Sequence, residues 1–180
     1  MQWDQASLEG LGFTGFVPFE KLPSVDVPRG AGVYLVFRTA RTAPGFLDRS
    51  VAGWFKGKDP TVGKGELQAA WVKGAHVLYI GSAPESLKGN RGLRKRLDEF
   101  HRFGAGGAVG HVGGKYIWQL ADHGRLLVAW RPTPDHNPDC VESQLIQLFK
   151  ADHGMLPFAN RKLGKRTSCA VDWLPDLTQA

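Results

Sequence analysis

Three short apolar runs are spaced along the chain in the pattern of buried β-strands. They are rich in valine, leucine, tyrosine and tryptophan, which favour strands. They cover residues 32–37, 75–80 and 126–130. These runs predict strands that pair in one small sheet.

Longer segments between and after these runs have the periodicity of helices. They cover residues 65–73, 91–103, about 115–122 and 138–152. Asn137 followed by Pro138 is typical of a helix N-cap and first turn. A small sheet with helices packed on it makes an α/β or α+β fold. A chain of 180 residues with 42% hydrophobic residues suits one domain, 1–180.

Two segments fall outside this pattern. Segment 40–64 is polar and rich in glycine and lysine, and it makes an unusually long connection between the first two predicted strands. It is either a surface excursion or a loop that contacts substrate. Segment 104–114 is rich in glycine and is predicted to be a mobile surface loop that carries His111.

One charge in the 91–103 helix lies on its apolar face. At ~100° per residue, Leu93 and Phe100 belong to one apolar stripe, and Arg96 falls between them. Its guanidinium must therefore reach solvent, pair with a structural carboxylate, or serve a functional site.

Glu142 repeats this pattern with the opposite sign in the last predicted helix. It lies three, four and seven residues before Leu145, Ile146 and Phe149, which form the apolar face. A carboxylate on that side requires a cation, either Arg96 in a structural ion pair or a metal ion in a site that both residues line. The helical pattern leaves both alternatives open.

The charge balance favours polyanionic partners. The chain has 23 Lys and Arg against 17 Asp and Glu, a formal net charge of +6 and a pI of about 9.5. The basic residues expected to be exposed form two groups, Lys88, Arg91, Arg94, Lys95 and Arg102, then Arg161, Lys162, Lys165 and Arg166. They hold a nucleic-acid backbone without reading its sequence, or they are ordinary solvated charged faces.

The composition also excludes several protein classes. No apolar run approaches the ~20 residues of a membrane span, and Asp4 and Glu9 stand where a signal peptide would be basic and then apolar. Cys140 and Cys169 lack the spacing of a zinc site, so we expect two ordinary thiols in a reducing compartment. The sequence predicts a soluble, cytoplasmic protein without a membrane partner.

Two tripeptides resemble the motif that names the GIY-YIG nuclease superfamily. They are Gly32-Val33-Tyr34 in the first predicted strand and Tyr79-Ile80-Gly81 in the second. The superfamily order continues along the chain with Arg96 in segment 92–97, Glu142 at the start of 142–146, and Asn160 at the end of 157–160. The resemblance covers about residues 28–162, and the two charges singled out by their helical faces are the two that the family would use.

The resemblance implies a fold and a chemistry. The implied fold is a small, mainly antiparallel three-stranded sheet flanked by helices, with an insertion at about 40–74 that leaves the first two strands paired. The implied function is a metal-dependent endonuclease that hydrolyses phosphodiester bonds in nucleic acid. DNA is favoured over RNA as the substrate, and the sequence leaves that choice open. Glu142 would hold a single Mg²⁺ or Mn²⁺, since such ions prefer oxygen ligands. Arg96 would bind the scissile phosphate.

The same resemblance gives roles to both tyrosines. Tyr34 would be the general base or would orient the nucleophilic water, and Tyr79 would hydrogen-bond the water or phosphate beside it. Because an unperturbed tyrosine has a pKa near ~10, Arg96, a lysine or the metal must lower the pKa of the base.

Two further family positions have structural alternatives. Gly81 would let substrate approach the strand end closely, or would merely make a turn. Asn160 would fix Glu142 or the phosphate, or would cap the last turn.

One departure from the family pattern affects proton transfer. Many members carry His or Tyr four residues after the arginine, where this chain has Phe100, which can neither take nor give a proton. His111, in the glycine-rich loop, is another candidate for that role. Val33 in place of isoleucine keeps a β-branched strand residue.

Two other functions compete with a nuclease. The first is a non-catalytic nucleic-acid-binding domain of the same fold. The second is a small-molecule or protein-interaction domain in which Arg96 and Glu142 merely pair, so that Glu142→Ala would destabilise the fold by several kcal/mol. The sequence leaves open whether the protein is a monomer or a homodimer.

Overall fold

The sheet and helices follow one another along the chain in an α+β arrangement. The structure, a computed structural model, describes residues 1–86, 91–111, 113–164 and 171–174. The regular elements are α1 (Gln5–Gly10), β1 (Thr14–Pro18), β2 (Gly32–Phe37), α2 (Lys64–Ala70), β3 (Val77–Ala83), α3 (Leu93–Gly104), β4 (Leu127–Pro132) and α4 (Pro138–His153). Short 3₁₀ helices cover Phe19–Ser24, Lys115–Gln119 and His123–Arg125.

The sheet has four antiparallel strands in the order β1-β4-β2-β3. The prediction of three strands is therefore wrong by one strand, β1. That strand has no apolar run or clean alternation to mark it, because its residues are exposed or half-buried and its register shifts between Gly15 and Val17. Gly15 has a φ of +100°, a conformation that favours glycine and accompanies this bulge.

The two faces of the sheet carry separate hydrophobic cores, because side chains alternate along each strand. Every residue of β2 is buried. Tyr34 and Val36 point to the core covered by α3, and the residues between and beside them point to the core covered by α4. We call these the α3 face and the α4 face.

The sequence predicted most element positions. The strand over 32–37 is confirmed, and the strands predicted over 75–80 and 126–130 run over Val77–Ala83 and Leu127–Pro132. The helices over 65–73, 91–103 and 138–152 are confirmed, with ends that differ by at most three residues. The side chain of Asn137 accepts a hydrogen bond from the backbone N–H of Asp139, so the predicted N-cap is confirmed.

The helix predicted over about 115–122 is wrong. This stretch forms two short 3₁₀ helices, and Leu120 between them is extended. Gln119 is buried, and its side-chain amide bonds the backbone of Leu47 and Val62. Tertiary contacts of one side chain thus take precedence over the local helical pattern.

The long connection between β2 and β3 contributes to the core of the α3 face. It contains α2, whose Leu67 is fully buried, and Ala52 is also buried. The two strands that it joins pair directly, with Tyr34 opposite Gly81. The segment is therefore more than a surface excursion.

Cys140 is disulfide-bonded. The prediction of an ordinary thiol is wrong for this residue, since two distant cysteines give no spacing signal for a bond. Cys169, the other cysteine of the chain, lies outside the described residues. Across the described ranges, none of the helices is both long and apolar enough to cross a bilayer.

Candidate active site

Tyr34, Tyr79 and Arg96 meet on the α3 face although they come from β2, β3 and α3. The rings of Tyr34 and Tyr79 have centroids 6.0 Å apart. The Tyr34 side chain is fully buried, and the Tyr79 hydroxyl and the Arg96 guanidinium lie close enough to affect its pKa. Arg96 is 26% exposed, so its side chain spans from the buried hydroxyls to solvent.

Two glycines make room for the tyrosines. Gly81 lies inside β3 and not in a turn, and a Cβ there would be 2.6 Å from Cζ and the hydroxyl oxygen of Tyr34. A Cβ on Gly113 would be 2.6 Å from the hydroxyl oxygen of Tyr79. Both contacts are too close for a carbon atom, so glycine is required by the positions of the rings.

His111, which follows α3 in the chain, lies beside Phe100, the position where a proton-transfer residue was expected. Its ring stacks on Phe100 with centroids 4.0 Å apart and 12° between planes. Nε2 of His111 lies 3.4 Å from the hydroxyl oxygen of Tyr34. The imidazole is fully buried, and its Nδ1 has no hydrogen-bond partner within the described residues. A buried, half-satisfied imidazole next to a tyrosine hydroxyl is suited to proton transfer.

Burial raises the pKa of both tyrosines. Desolvation is the largest effect at each, and it outweighs the Arg96 charge, which lowers the pKa. The pKa of Tyr79 lies well above its ordinary value. Burial thus outweighs the expected effect of Arg96, so the net pKa of both hydroxyls is raised and they keep their protons at neutral pH.

Burial lowers the pKa of His111 well below its ordinary value, and the Arg96 charge lowers it further. The imidazole is neutral at neutral pH. If its proton is on Nδ1, Nε2 accepts a hydrogen bond from the Tyr34 hydroxyl.

Glu142 lies at the edge of the sheet, where α4 packs against β3. The Ser82 hydroxyl lies 2.8 Å from Oε2 of Glu142 and 2.6 Å from Oδ1 of Asp139. The two carboxylates thus lie close to the same hydroxyl. Carboxylate and hydroxyl oxygens brought together in this way are ligands of the kind that divalent cations prefer.

The direct ion pair between Arg96 and Glu142, one of the two alternatives, does not form in the described part of the chain. Arg96 pairs instead with Glu99, with 3.5 Å between Nη1 and Oε2. Glu142 still lies close enough for its charge to act on both tyrosines. In the ranges that the structure describes, no three His, Cys, Asp or Glu side chains form a metal-holding group.

Asn160 holds the edge strand β3. Its side-chain carbonyl accepts from the backbone N–H of Ile80, and its side-chain amide donates to the carbonyl of the same residue. The backbone N–H of Ala159 also donates to the carbonyl of Leu78. The structure therefore gives Asn160 a different contact from those expected with Glu142 or a helix end, one that positions Tyr79 through its strand.

Basic residues surround the exposed end of Arg96. Arg91 and Lys95 are exposed and line, with Arg96 and Ser82, a cavity of about 170 Å³. Arg94 is exposed as predicted, but it pairs with Asp26 and donates to the carbonyl of Val27. Lys88 lies outside the described residues.

Sequence reasoning missed Ser82, Asp139 and Glu99. Asp139 and Glu99 were detectable, because each lies three residues from a predicted site residue and so on the same helical face. Ser82 gave no comparable signal, since only the pairing of β3 with α4 brings it to the carboxylates. Comparison of the chain with protein-family models, with curated proteins and with solved structures found no match.

Proposed function

We propose that this protein is a metal-dependent endonuclease that hydrolyses phosphodiester bonds in DNA. The observation that carries the proposal is the convergence of the Arg96 guanidinium on two buried tyrosine hydroxyls, within range of the Glu142 charge. Burying polar groups costs stability unless they are paired, and the pairing here joins separate elements. The same residues are those that the resemblance to the GIY-YIG superfamily implies.

Arg96 binds the scissile phosphate in the 170 Å³ cavity. Its guanidinium lies near Tyr34 on the inner side and pairs with Glu99, and Arg96 lines this cavity. A planar fork held in this way matches two phosphate oxygens and stabilises the charge that develops on them. Arg91 and Lys95 add positive charge around the same space.

Tyr34 and His111 activate the water. Because the tyrosine is neutral at rest, its oxygen takes a proton from water while its own proton passes to Nε2 of His111. With its proton on Nδ1, the neutral imidazole has a lone pair on Nε2 for this proton, in the role that Phe100 cannot perform, and its lowered pKa means that it gives the proton up again readily. The hydroxide oxygen then attacks phosphorus, and the departing oxygen receives a proton from solvent.

The residues around Ser82 fit a divalent ion such as Mg²⁺ or Mn²⁺. Glu142 and Asp139 would hold it, since these ions prefer oxygen ligands and are often bound by one or two carboxylates with waters. When bound there, the ion supplies charge neutralisation at the phosphate and the leaving oxygen.

One observation favours a second candidate, a nucleic-acid-binding domain without catalysis. Tyr34 is fully buried, and His111 and Gly113 lie against the two tyrosine hydroxyls. If His111 and Gly113 never move, no water reaches the Tyr34 oxygen. The binding surface formed by Arg91 and Lys95 does not depend on such a movement.

The deciding experiment measures cleavage of single- and double-stranded DNA and RNA with Mg²⁺ or Mn²⁺. We expect wild-type protein to cut DNA, EDTA to stop the reaction, and Glu142→Ala to abolish it while the circular dichroism spectrum and urea midpoint are retained. Glu9→Ala, which changes an exposed glutamate on α1, is the matched control and should cut as wild type.

Three outcomes separate the candidate functions. Wild-type protein that binds but never cuts any of these substrates supports the non-catalytic domain. Loss of about 3–5 kcal/mol of stability in Glu142→Ala, with no cleavage by wild type, supports a purely structural carboxylate. Cleavage that survives both EDTA and Glu142→Ala overturns the proposed metal-dependent centre.

A further inference from the structure

An amphipathic groove lies next to the proposed reaction centre, between α3 and the chain before β2. It has a volume of about 510 Å³, within the range of small-molecule sites. Its floor is apolar and consists of Leu22, Pro23, Val25, Val27 and Leu97. Phosphate alone would gain nothing from such a floor, so the shape and chemistry indicate an occupant with an apolar part.

The two walls of the groove are tied together by hydrogen bonds. The backbone N–H groups of Leu93 and Arg94 donate to the carbonyls of Gly30 and Pro28. The Arg94 side chain donates to the carbonyl of Val27 and pairs with Asp26. The groove is therefore a formed feature of the fold.

The rim of the groove is positively charged. Arg29, Arg91 and Lys95 line it and form no ion pair with any described residue. The rim also contains Asp98, whose carboxylate lies 3.8 Å from the guanidinium of Arg102. The net charge favours an anion, and together with the floor it favours an anion attached to an apolar group.

The groove is continuous with the proposed phosphate site. Arg91 and Lys95 line both the groove and the 170 Å³ cavity that contains Arg96 and Ser82. A polyanionic strand held at Arg96 can therefore extend into the groove without leaving the basic surface.

We propose that the groove binds one unstacked nucleotide of the substrate strand, adjacent to the scissile phosphate. Arg91 and Lys95 hold its phosphates, and its base lies on the apolar floor around Val25. This inference rests on the proposed function for the neighbouring site. Bases inside a duplex are stacked and paired, so such a groove selects single-stranded segments, flaps or flipped nucleotides.

The test measures binding in EDTA, where cleavage is absent, by fluorescence anisotropy of a labelled oligonucleotide. The probes are a single-stranded DNA, its duplex, and an abasic strand of the same length and charge. We expect the single strand to bind about tenfold or more tightly than the abasic strand, because the abasic strand has no base to cover the apolar floor. The duplex should bind like the abasic strand.

Variants locate the effect. Val25→Asp, at a half-buried floor position, should weaken binding of the single strand about tenfold or more and remove its advantage over the abasic strand. Arg91→Glu should weaken binding of all three probes. Lys150→Glu, an equal charge change on exposed α4 at the opposite face of the sheet, is the matched control and should change none of them by more than about twofold.

The outcomes distinguish this inference from the proposed function. Equal affinity for single and abasic strands, or a preference for duplex, overturns the nucleotide groove even if the protein cuts DNA. Single-stranded DNA that binds Val25→Asp as tightly as wild-type protein also overturns it. If that variant fails to fold, the comparison with the abasic strand in wild-type protein decides. If the protein prefers single-stranded DNA but never cuts any substrate, the nucleotide groove is supported and only the nuclease proposal is overturned.

Discussion

The two faces of the sheet are both well packed but differ in chemistry. The α4 face is filled by aliphatic and phenyl side chains such as Leu35, Leu145 and Phe149. The α3 face also has a large apolar core, but Tyr34 and Tyr79 place hydroxyl groups inside it. A buried imidazole and a half-buried guanidinium lie against those hydroxyls.

This difference separates residues that stabilise the protein from residues that serve its function. Buried polar groups with incomplete pairing reduce stability, so a fold retains them where they have another use. Substitutions on the α4 face should therefore lower the free energy of unfolding. Substitutions in the polar part of the α3 face should instead lower the cleavage rate.

Phe149→Ala should give the largest loss of stability. Phe149 is fully buried and packs against Trp3, with ring centroids 5.1 Å apart. Removal of the ring leaves a cavity and should lower the free energy of unfolding by about 3–5 kcal/mol in urea titration. The cleavage rate of the remaining folded protein should stay within about twofold. Trp54→Ala is the control, since Trp54 is 56% exposed, and should change stability by about 0.5 kcal/mol or less.

Arg96→Met should have the opposite profile. We expect the cleavage rate to fall about 10²–10³-fold, as expected for loss of one donor to a developing charge. The free energy of unfolding should stay the same or rise, because methionine suits the apolar stripe. Arg102→Met, which changes a more exposed arginine of the same helix, should leave the rate within about threefold. A destabilised Arg96→Met variant with a normal rate would show that the arginine is structural.

Gly81→Ala should combine both responses. The added methyl group would overlap the Tyr34 ring, so we expect a loss of about 1–3 kcal/mol and reduced cleavage. Combining it with Tyr34→Ala should relieve the overlap, and the two changes should then be non-additive in urea titration. Gly65→Ala, in a helix with open space around it, should stabilise by a few tenths of a kcal/mol to 1 kcal/mol. Additive effects of Gly81→Ala and Tyr34→Ala would contradict the described packing.

His111 should make stability depend on pH. The pKa of His111 is lower in the folded state than in the unfolded state, where it is about 6.5. Below that pH the unfolded state therefore binds more protons than the folded state. The contribution of the neutral His111 to the free energy of unfolding is fully present above that pH. It is lost as the pH falls, with a slope of at most about 1.4 kcal/mol per pH unit.

His111→Leu should flatten that dependence between about pH 7 and pH 5 in urea titration. Burial also lowers the pKa of His123, so a smaller slope should remain in the variant. Identical slopes in the wild type and His111→Leu would contradict a buried, neutral imidazole.

Features that depend on neighbours along the chain were predictable from sequence. The limits of β2 were predicted because all its residues are buried and form one apolar run. The position of Arg96 on its helical face was predictable for a similar reason, since helix geometry alone places it between Leu93 and Phe100. These predictions needed no knowledge of tertiary packing.

Features that depend on distant parts of the chain were not predictable. The bulge at Gly15 breaks the alternating pattern of β1, so this strand was not predicted. The stretch over about 115–122 forms 3₁₀ helices and not the predicted α-helix, because Gln119 bonds two remote backbone segments. The raised pKa of Tyr34 depends on its burial, to which His111 and Phe100 of α3 contribute. A helical wheel or a strand pattern contains none of this information.

The bonds between Asn160 and Ile80 have a consequence for how the chain can be rebuilt. Because a side chain from beyond α4 fixes the position of β3, the long connection before β3 need not set its register. Residues 56–59 of that connection are exposed. New chain ends introduced there by circular permutation should be tolerated, and the β2–β3 pair should assemble from two separate halves of the sequence.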